Sequence, residues 1–208
     1  MVWHYKVRGG YLVYAGKDKH ENETLIKYHF PEDIWFHVKR LSSPHVYLRL
    51  RKGETMDDIP QETLDDICQI TKYYSIEGKK KKFVAINYTP ASNLLKKRGM
   101  EIGSVYYKNE GNVRTIQNVK EDRPAVLRLK KTRKEHFPDF EKLWLKRQKQ
   151  ESMEIKKQKL KEEKEIQKRK QKKKKEKEMK SYNWMMDEDL MESNQDSNDL
   201  EEYENNFF

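Results

Sequence analysis

Along the first 119 residues, short apolar bursts rich in β-branched and aromatic residues are separated by polar, turn-forming stretches. VWHYKV, YLVYA, DIWFHV, HVYLRL, FVAINYT, SVYYK and VRTIQNV read as strands. In VYYKNEGNVRTI the four residues Asn109, Glu110, Gly111 and Asn112 carry hairpin-turn chemistry, which predicts that the last two strands pair with each other. Helical spacing appears twice, over residues 21–29 and 60–75, the second opening at Pro60 with acidic residues in its first turn. Seven strands and two short helices in mixed order predict an α+β domain, residues 1–119, on a largely antiparallel sheet.

The pattern changes after residue 119. Pro124 and Pro138 mark two helix starts, with Asp122 and Asp139 placed to cap them, so residues 120–145 are read as helix packing on the domain. From 146 to 180 the apolar residues thin to Met153, Ile155, Leu160, Ile166 and Met179, which hold no heptad seam. That stretch predicts a long, lysine-rich helical extension without a partner helix, with Glu165/Arg169 and Glu176/Lys180 as i,i+4 pairs. Residues 181–208 are acidic, polar and free of proline, and are expected to be a disordered tail.

Composition sharpens this division. Of 208 residues 35% are hydrophobic and 38% charged, too few apolar groups for a core running to the end of the chain. Residues 1–119 carry 20 Lys+Arg against 14 Asp+Glu, residues 120–180 carry 25 against 12, and residues 181–208 carry none against 9. The basic balance points to a polyanionic partner, and the acidic tail is placed to compete for the basic helix. Cys68, the single cysteine, excludes a disulfide framework within one chain and sits at helical spacing with Leu64, Ile67 and Thr71, as a small buried apolar residue would. No window approaches 18 uninterrupted apolar residues and MVWHYKVRGG has no hydrophobic signal core, so a soluble intracellular protein is expected, cytoplasmic and also nuclear in one reading.

Three clusters of basic residues lie at strand ends or turns: Lys17 with Lys19, Lys79 to Lys82, and Lys96, Lys97 and Arg98. Each alone reads as a solvated loop, whereas together they make a phosphate-binding rim if the fold brings them to one edge. Gly16, in YAGKDKHENE, is read as the tight turn between a strand and a helix, with Lys17 and Lys19 facing phosphate and Asp18 and Asn22 capping the helix. In DIWFHV, Asp33, Trp35 and His37 share a face, and His45 opens the next strand across from them. Two histidines and a carboxylate suggest metal or acid-base chemistry, but no third histidine or cysteine has matching spacing, and a structural or nucleic-acid-contacting network ranks ahead. Trp35 and Phe36 point to opposite faces, so one is core and the other is left either as a base-stacking surface or as core beneath a helix. The site expected is therefore nucleic-acid-binding and formed by Lys17, Lys19, His20, Trp35, His37, Lys39, His45, Lys79, Lys80, Lys81, Lys82, Lys96, Lys97 and Arg98, with no catalytic residue, metal or cofactor. KRKQKKKKEKEMK, residues 168–180, reads as a localisation signal, a nonspecific nucleic-acid arm or a solvated helix.

GKDKHENE, EDIWFHV, SSPHVYL and YYSIEGKKKKFVAINYTPASNLLKKRGMEIGSVYY together resemble the NFACT-R domain, and the whole chain resembles the coiled-coil domain-containing protein 25 family. Matching positions are Gly16, Lys17, Asp18, Asn22, Glu23, Asp33, Trp35, His37, His45 and Val46, then Tyr88, Thr89, Lys97, Gly99 and Gly103. The resemblance implies RNA binding, since NFACT-R domains occur in larger proteins that act on stalled large ribosomal subunits and tRNA. Those proteins carry further domains that this sequence does not show, so only the module carries over, not the rescue activity. The function expected is a nucleic-acid-binding adaptor that prefers RNA and is linked to ribosomes or ribonucleoproteins. Two alternatives stay open: a DNA-binding protein or sensor associated with a membrane, and a scaffold whose charged helix docks a protein partner.

Overall fold

The computed structural model describes residues 1–185. In chain order the strands are β1 (Val2–Lys6), β2 (Leu12–Gly16), β3 (Asp33–Val38), β4 (Val46–Arg49), β5 (Phe83–Pro90), β6 (Leu94–Leu95), β7 (Tyr106–Tyr107), β8 (Arg114–Lys120) and β9 (Lys134–His136). Seven of them form one sheet in the order β8-β5-β3-β4-β2-β1-β9, antiparallel at every pairing, and β6 pairs with β7 in a small second sheet. The helices are α1 (Lys19–Lys27), α2 (Gln61–Tyr73), α3 (Arg123–Thr132) and α4 (Phe140–Met185). The protein is α+β, as its alternating pattern predicts.

The two faces of the sheet are buried by different elements because side chains alternate along each strand. Val13, Ile34, Phe36, Val38, Val46 and Leu48 form the larger core with Leu64, Ile67, Cys68 and Ile70 of α2 and Leu129 of α3. On the other face Tyr14, Trp35 and Tyr47 pack with Leu25 of α1, Leu94 of β6 and Phe140. Both Trp35 and Phe36 are consequently buried, at 1% and 0% exposure, and neither is open to a stacking base. Cys68 is buried too, and burial pushes its thiol up to about 12, which removes it as a nucleophile near neutrality.

Caps fall where the sequence puts them. Asp18 accepts from the amides of His20 and Glu21, Asp122 from that of Ala125, and Asp139 from that of Lys142. Two features differ from the sequence expectation. Tyr106–Tyr107 does not pair with β8; the Asn109 to Asn112 segment is a 3-10 turn, pinned by Asn93, which donates to the Asn109 carbonyl at 2.8 Å and accepts from its amide at 2.9 Å. Lys134–His136 adds an edge strand beside β1, although all three of its residues are exposed.

Residues 1–148 form one compact unit, and the described residues from 149 onward belong to a second. In the second unit the helix continues to Met185, and Met153, Ile155, Leu160, Ile166 and Met179 are all more than half exposed, consistent with the missing heptad seam. Ion pairs along it include Lys172–Glu176 and Lys174–Glu178 at i,i+4. The acidic tail anticipated over 181–208 lies, from residue 186, outside the described residues.

Candidate nucleic-acid interface

Antiparallel pairing sends the end of one strand and the start of its neighbour to the same rim of a sheet. The registers Val2↔Gly16, Ala15↔Val46, Phe36↔Val46, Val38↔Ile86 and Phe83↔Lys120 place the end of β2, the end of β3 and the starts of β4 and β5 at one rim. Lys17, Lys19 and His20 leave it after β2, Lys39 and Arg40 after β3, and Lys79 to Lys82 enter it before β5; all are exposed. Sequence distance of up to 65 residues separates these cations, and only the topology unites them. The Lys79–Lys82 segment is held from beneath by Lys72, whose ammonium is buried and donates to the Gly78 carbonyl at 3.0 Å and the Lys81 carbonyl at 2.6 Å. Burial lowers the Lys72 pKa, while two carbonyl acceptors keep the group bonded.

Gly16 has a different job from the one its sequence context suggests. Its φ is not in the left-handed region; instead, a Cβ there would lie 2.4 Å from the Asn22 side-chain oxygen. Glycine is required because α1 packs its Asn22 against the end of β2, so Asn22 is a packing residue and Asp18 alone is the cap.

Behind the rim lies a cavity of about 560 Å³ walled by Trp35, His37, His45 and Tyr107, with Lys19 and Arg40 among its lining residues. His37 stacks on Trp35 at 5.2 Å, and His45 meets both rings edge-on. Burial lowers His37 to about 4 and His45 to about 3, the latter helped by repulsion from His37, so both rings are neutral at pH 7. One wall is the segment 101–105. Lys96 folds it, donating to the carbonyls of Glu101 at 2.6 Å and Ser104 at 3.1 Å and pairing with Glu23 of α1 at 2.9 Å, while the Gly103 amide donates to the same Glu23 carboxylate at 3.0 Å. Burial would raise the Glu23 pKa, but the Gly103 amide and Lys96 outweigh it and hold it below the usual carboxylate range. Lys96 is therefore a strut within the protein, not an open phosphate contact; Lys97 and Arg98, beside it, are exposed. Replacing Lys96 with methionine is expected to speed amide hydrogen exchange over residues 101–104 at least tenfold, about 1.4 kcal/mol of lost local closing energy, with the sheet unaffected. Unchanged exchange would show the loop to be held by other contacts.

Asp33, grouped with the histidines by strand alternation, sits at the other end of β3. It accepts from Arg49 Nε at 2.9 Å, from Tyr14 Oη at 2.7 Å and from the Phe30 amide at 2.7 Å, with no exposure to solvent. It anchors the sheet, and among the described residues no group of three or more His, Cys, Asp or Glu is placed to hold a metal ion. Two rim residues escaped sequence reasoning. Arg40 holds a left-handed backbone at φ 60 beside the cavity, and Phe83 is 47% exposed with the Lys82 ammonium 5.5 Å from its ring. Phe83, not Trp35, is the aromatic that meets solvent among the rim lysines; its place at the first position of a strand following four lysines was the available signal.

The family model described as NFACT protein RNA binding domain matches residues 1–109. Coiled-coil domain-containing protein 25 of Bos taurus is 46% identical over 193 residues, 93% of either chain. The chain belongs to the coiled-coil domain-containing protein 25 family. Its NFACT domain is more distantly similar to the Rqc2 homolog RqcH of Bacillus subtilis, 27% identical over 62% of this chain and 21% of that protein. Among solved structures, the C-terminal part of the fibronectin/fibrinogen-binding protein from Streptococcus suis matches at TM-score 0.51 and 21% identity, covering 61% of this chain and 48% of the other, a likeness of fold alone. Among the described residues no helix is long and apolar enough to cross a membrane.

Proposed function

We propose that this chain is a non-catalytic RNA-binding adaptor that works with ribosomes or ribonucleoproteins in the cytoplasm, contacting RNA through the basic rim. The observation that carries the reading is the meeting of Lys17, Lys19, Lys39, Arg40 and Lys79 to Lys82 at one sheet end inside a domain of the NFACT RNA-binding family. Such a rim neutralises phosphates without reading sequence, and the exposed Phe83 adds a surface on which an unpaired base stacks. The family resemblance to proteins that act on large ribosomal subunits, and the similarity to RqcH, support the ribosomal setting.

Titration of labelled single-stranded RNA at several salt concentrations tests this. Changing Lys17 and Lys19 to glutamate is expected to weaken binding broadly across sequences. Their change to alanine is expected to weaken it less and to reduce the salt slope by about 0.7 per lost phosphate contact. An unaltered slope in the folded alanine variant, or a matched DNA strand that competes as well as RNA, would overturn the reading in its RNA-specific form.

A further inference from the structure

We infer that the cavity between Trp35, His37 and His45 receives one unpaired nucleobase of the bound strand, while Lys19 and Arg40 hold its phosphates. The inference rests on the RNA-binding reading above and adds a discrete nucleotide pocket to it.

Three buried polar atoms of residues lining the cavity, Asn22 Oδ1, Trp35 Nε1 and His45 Nδ1, have no hydrogen-bond partner, although these residues are only 8%, 1% and 2% exposed. An unpaired buried donor or acceptor costs about 1–3 kcal/mol, so its persistence in the wall of a cavity points to a ligand that completes it. The volume, about 560 Å³, lies in the range of small-molecule sites and admits one nucleotide, not a helix.

The chemistry of the wall selects the ligand class. Beside the cations Lys19 and Arg40, the lining brings together the Trp35 indole, the imidazoles of His37 and His45, the Asn22 amide and the hydroxyls of Ser42, Ser43 and Ser104, more hydrogen-bonding variety than an inorganic anion uses. A neutral imidazole offers one donor and one acceptor, and the indole a donor; that mixture matches the edge of a heterocycle. The rings are packed on one another, His37 stacked on Trp35 at 5.2 Å and Tyr107 edge-on to Trp35 at 5.9 Å, so they present edges and not faces to the cavity, and the base is held by its polar edge. Positive charge is kept for the lining cations, Lys19 after β2 and Arg40 after β3, where the chain adopts φ 60. A non-glycine residue in that conformation is strained, and such strain collects where a side chain must be aimed. The segment 101–105 forms one wall of the cavity and is held to α1 by the Gly103 amide on the Glu23 carboxylate.

The test uses the full chain and proton NMR of the imidazole signals of His37 and His45. Each of the four nucleoside 5′-monophosphates is titrated in, with ribose 5-phosphate as the probe that lacks a base. At least one monophosphate is expected to shift both histidines saturably while ribose 5-phosphate leaves them unmoved. Filling the cavity by Ser104→Trp is expected to abolish the shift and to weaken a short single-stranded RNA by about tenfold, the order of one or two lost hydrogen bonds, with the salt slope kept. If that variant does not fold, His45→Leu removes the polar atom and is expected to show the same loss. Histidines unmoved by all four monophosphates at millimolar concentration, with RNA still bound, would overturn the pocket and leave the RNA reading standing. Equal shifts with ribose 5-phosphate would also overturn it, marking an anion site. Loss of RNA binding in the unmodified protein would instead sink the functional reading, and the monophosphate titration would still decide the pocket.

Discussion

Replacing Asp33 with alanine is expected to cost the unit of residues 1–148 about 3–5 kcal/mol of folding free energy, read by chemical denaturation. The carboxylate has no solvent exposure and serves three donors at once: the Arg49 guanidinium, the Tyr14 hydroxyl and the Phe30 amide. Its removal leaves a cation whose guanidinium carbon lies 4.0 Å from the Phe30 ring centre, and strands the other two donors in the core. Asparagine at the same position keeps the volume and some of the acceptance, so a smaller loss is expected. A loss below about 1 kcal/mol for the alanine variant would show that the three donors find other partners.

The second large effect is acid destabilisation between pH 7 and pH 4. His37 and His45 have folded pKa values of about 4 and 3, below the ordinary 6.5, because burial disfavours the imidazolium. A depressed folded value means that the unfolded chain binds protons first. The contribution is therefore fully present above pH 6.5 and is lost as pH falls from there towards the folded values. At pH 5 the loss is about 2 kcal/mol for each histidine. Lys96 adds to the repulsion at His45, whereas the Gly103 carbonyl opposes it. Urea denaturation at pH 7 and pH 5 checks the difference, and a double change of His37 and His45 to glutamine is expected to reduce it, the remainder coming in part from His4, which burial and then repulsion from His136 lower to about 4. Equal stability of the parent protein at the two pH values would refute the burial of neutral imidazoles.

The sheet was legible because its central strands are dense in β-branched and aromatic residues, as burial on both faces requires. Helix caps were legible for a local reason: Asp18, Asp122 and Asp139 act within three residues of themselves. Pairing was less legible. The Asn109 to Asn112 segment does turn, but turn chemistry does not say which strands flank it, and a distant side chain, Asn93, took its backbone groups. Lys134–His136 was invisible because an exposed edge strand needs no apolar face, only a neighbour with free backbone groups. At the candidate site, the cations were apparent from composition, while the strut role of Lys96, the packing role of Asn22 and the exposure of Phe83 depend on contacts between residues far apart in the chain.

The sheet order has a consequence for the timing of synthesis. β1 precedes the other strands of its sheet in the chain, yet one of its two neighbours, β9, lies some 130 residues later. At ordinary elongation rates, about 5–20 residues per second, that edge of β1 waits on the order of ten seconds for its partner. During that interval the nascent chain presents an open strand edge to any other extended chain nearby. His4 and Lys6 stand on that strand, and a protonated lysine on an open edge discourages pairing with a stranger. Closure then comes from KEH, a segment with a charge of each sign and no apolar residue, which gives it little tendency to aggregate before it docks. The last piece of the sheet is thus one that stays harmless while it waits.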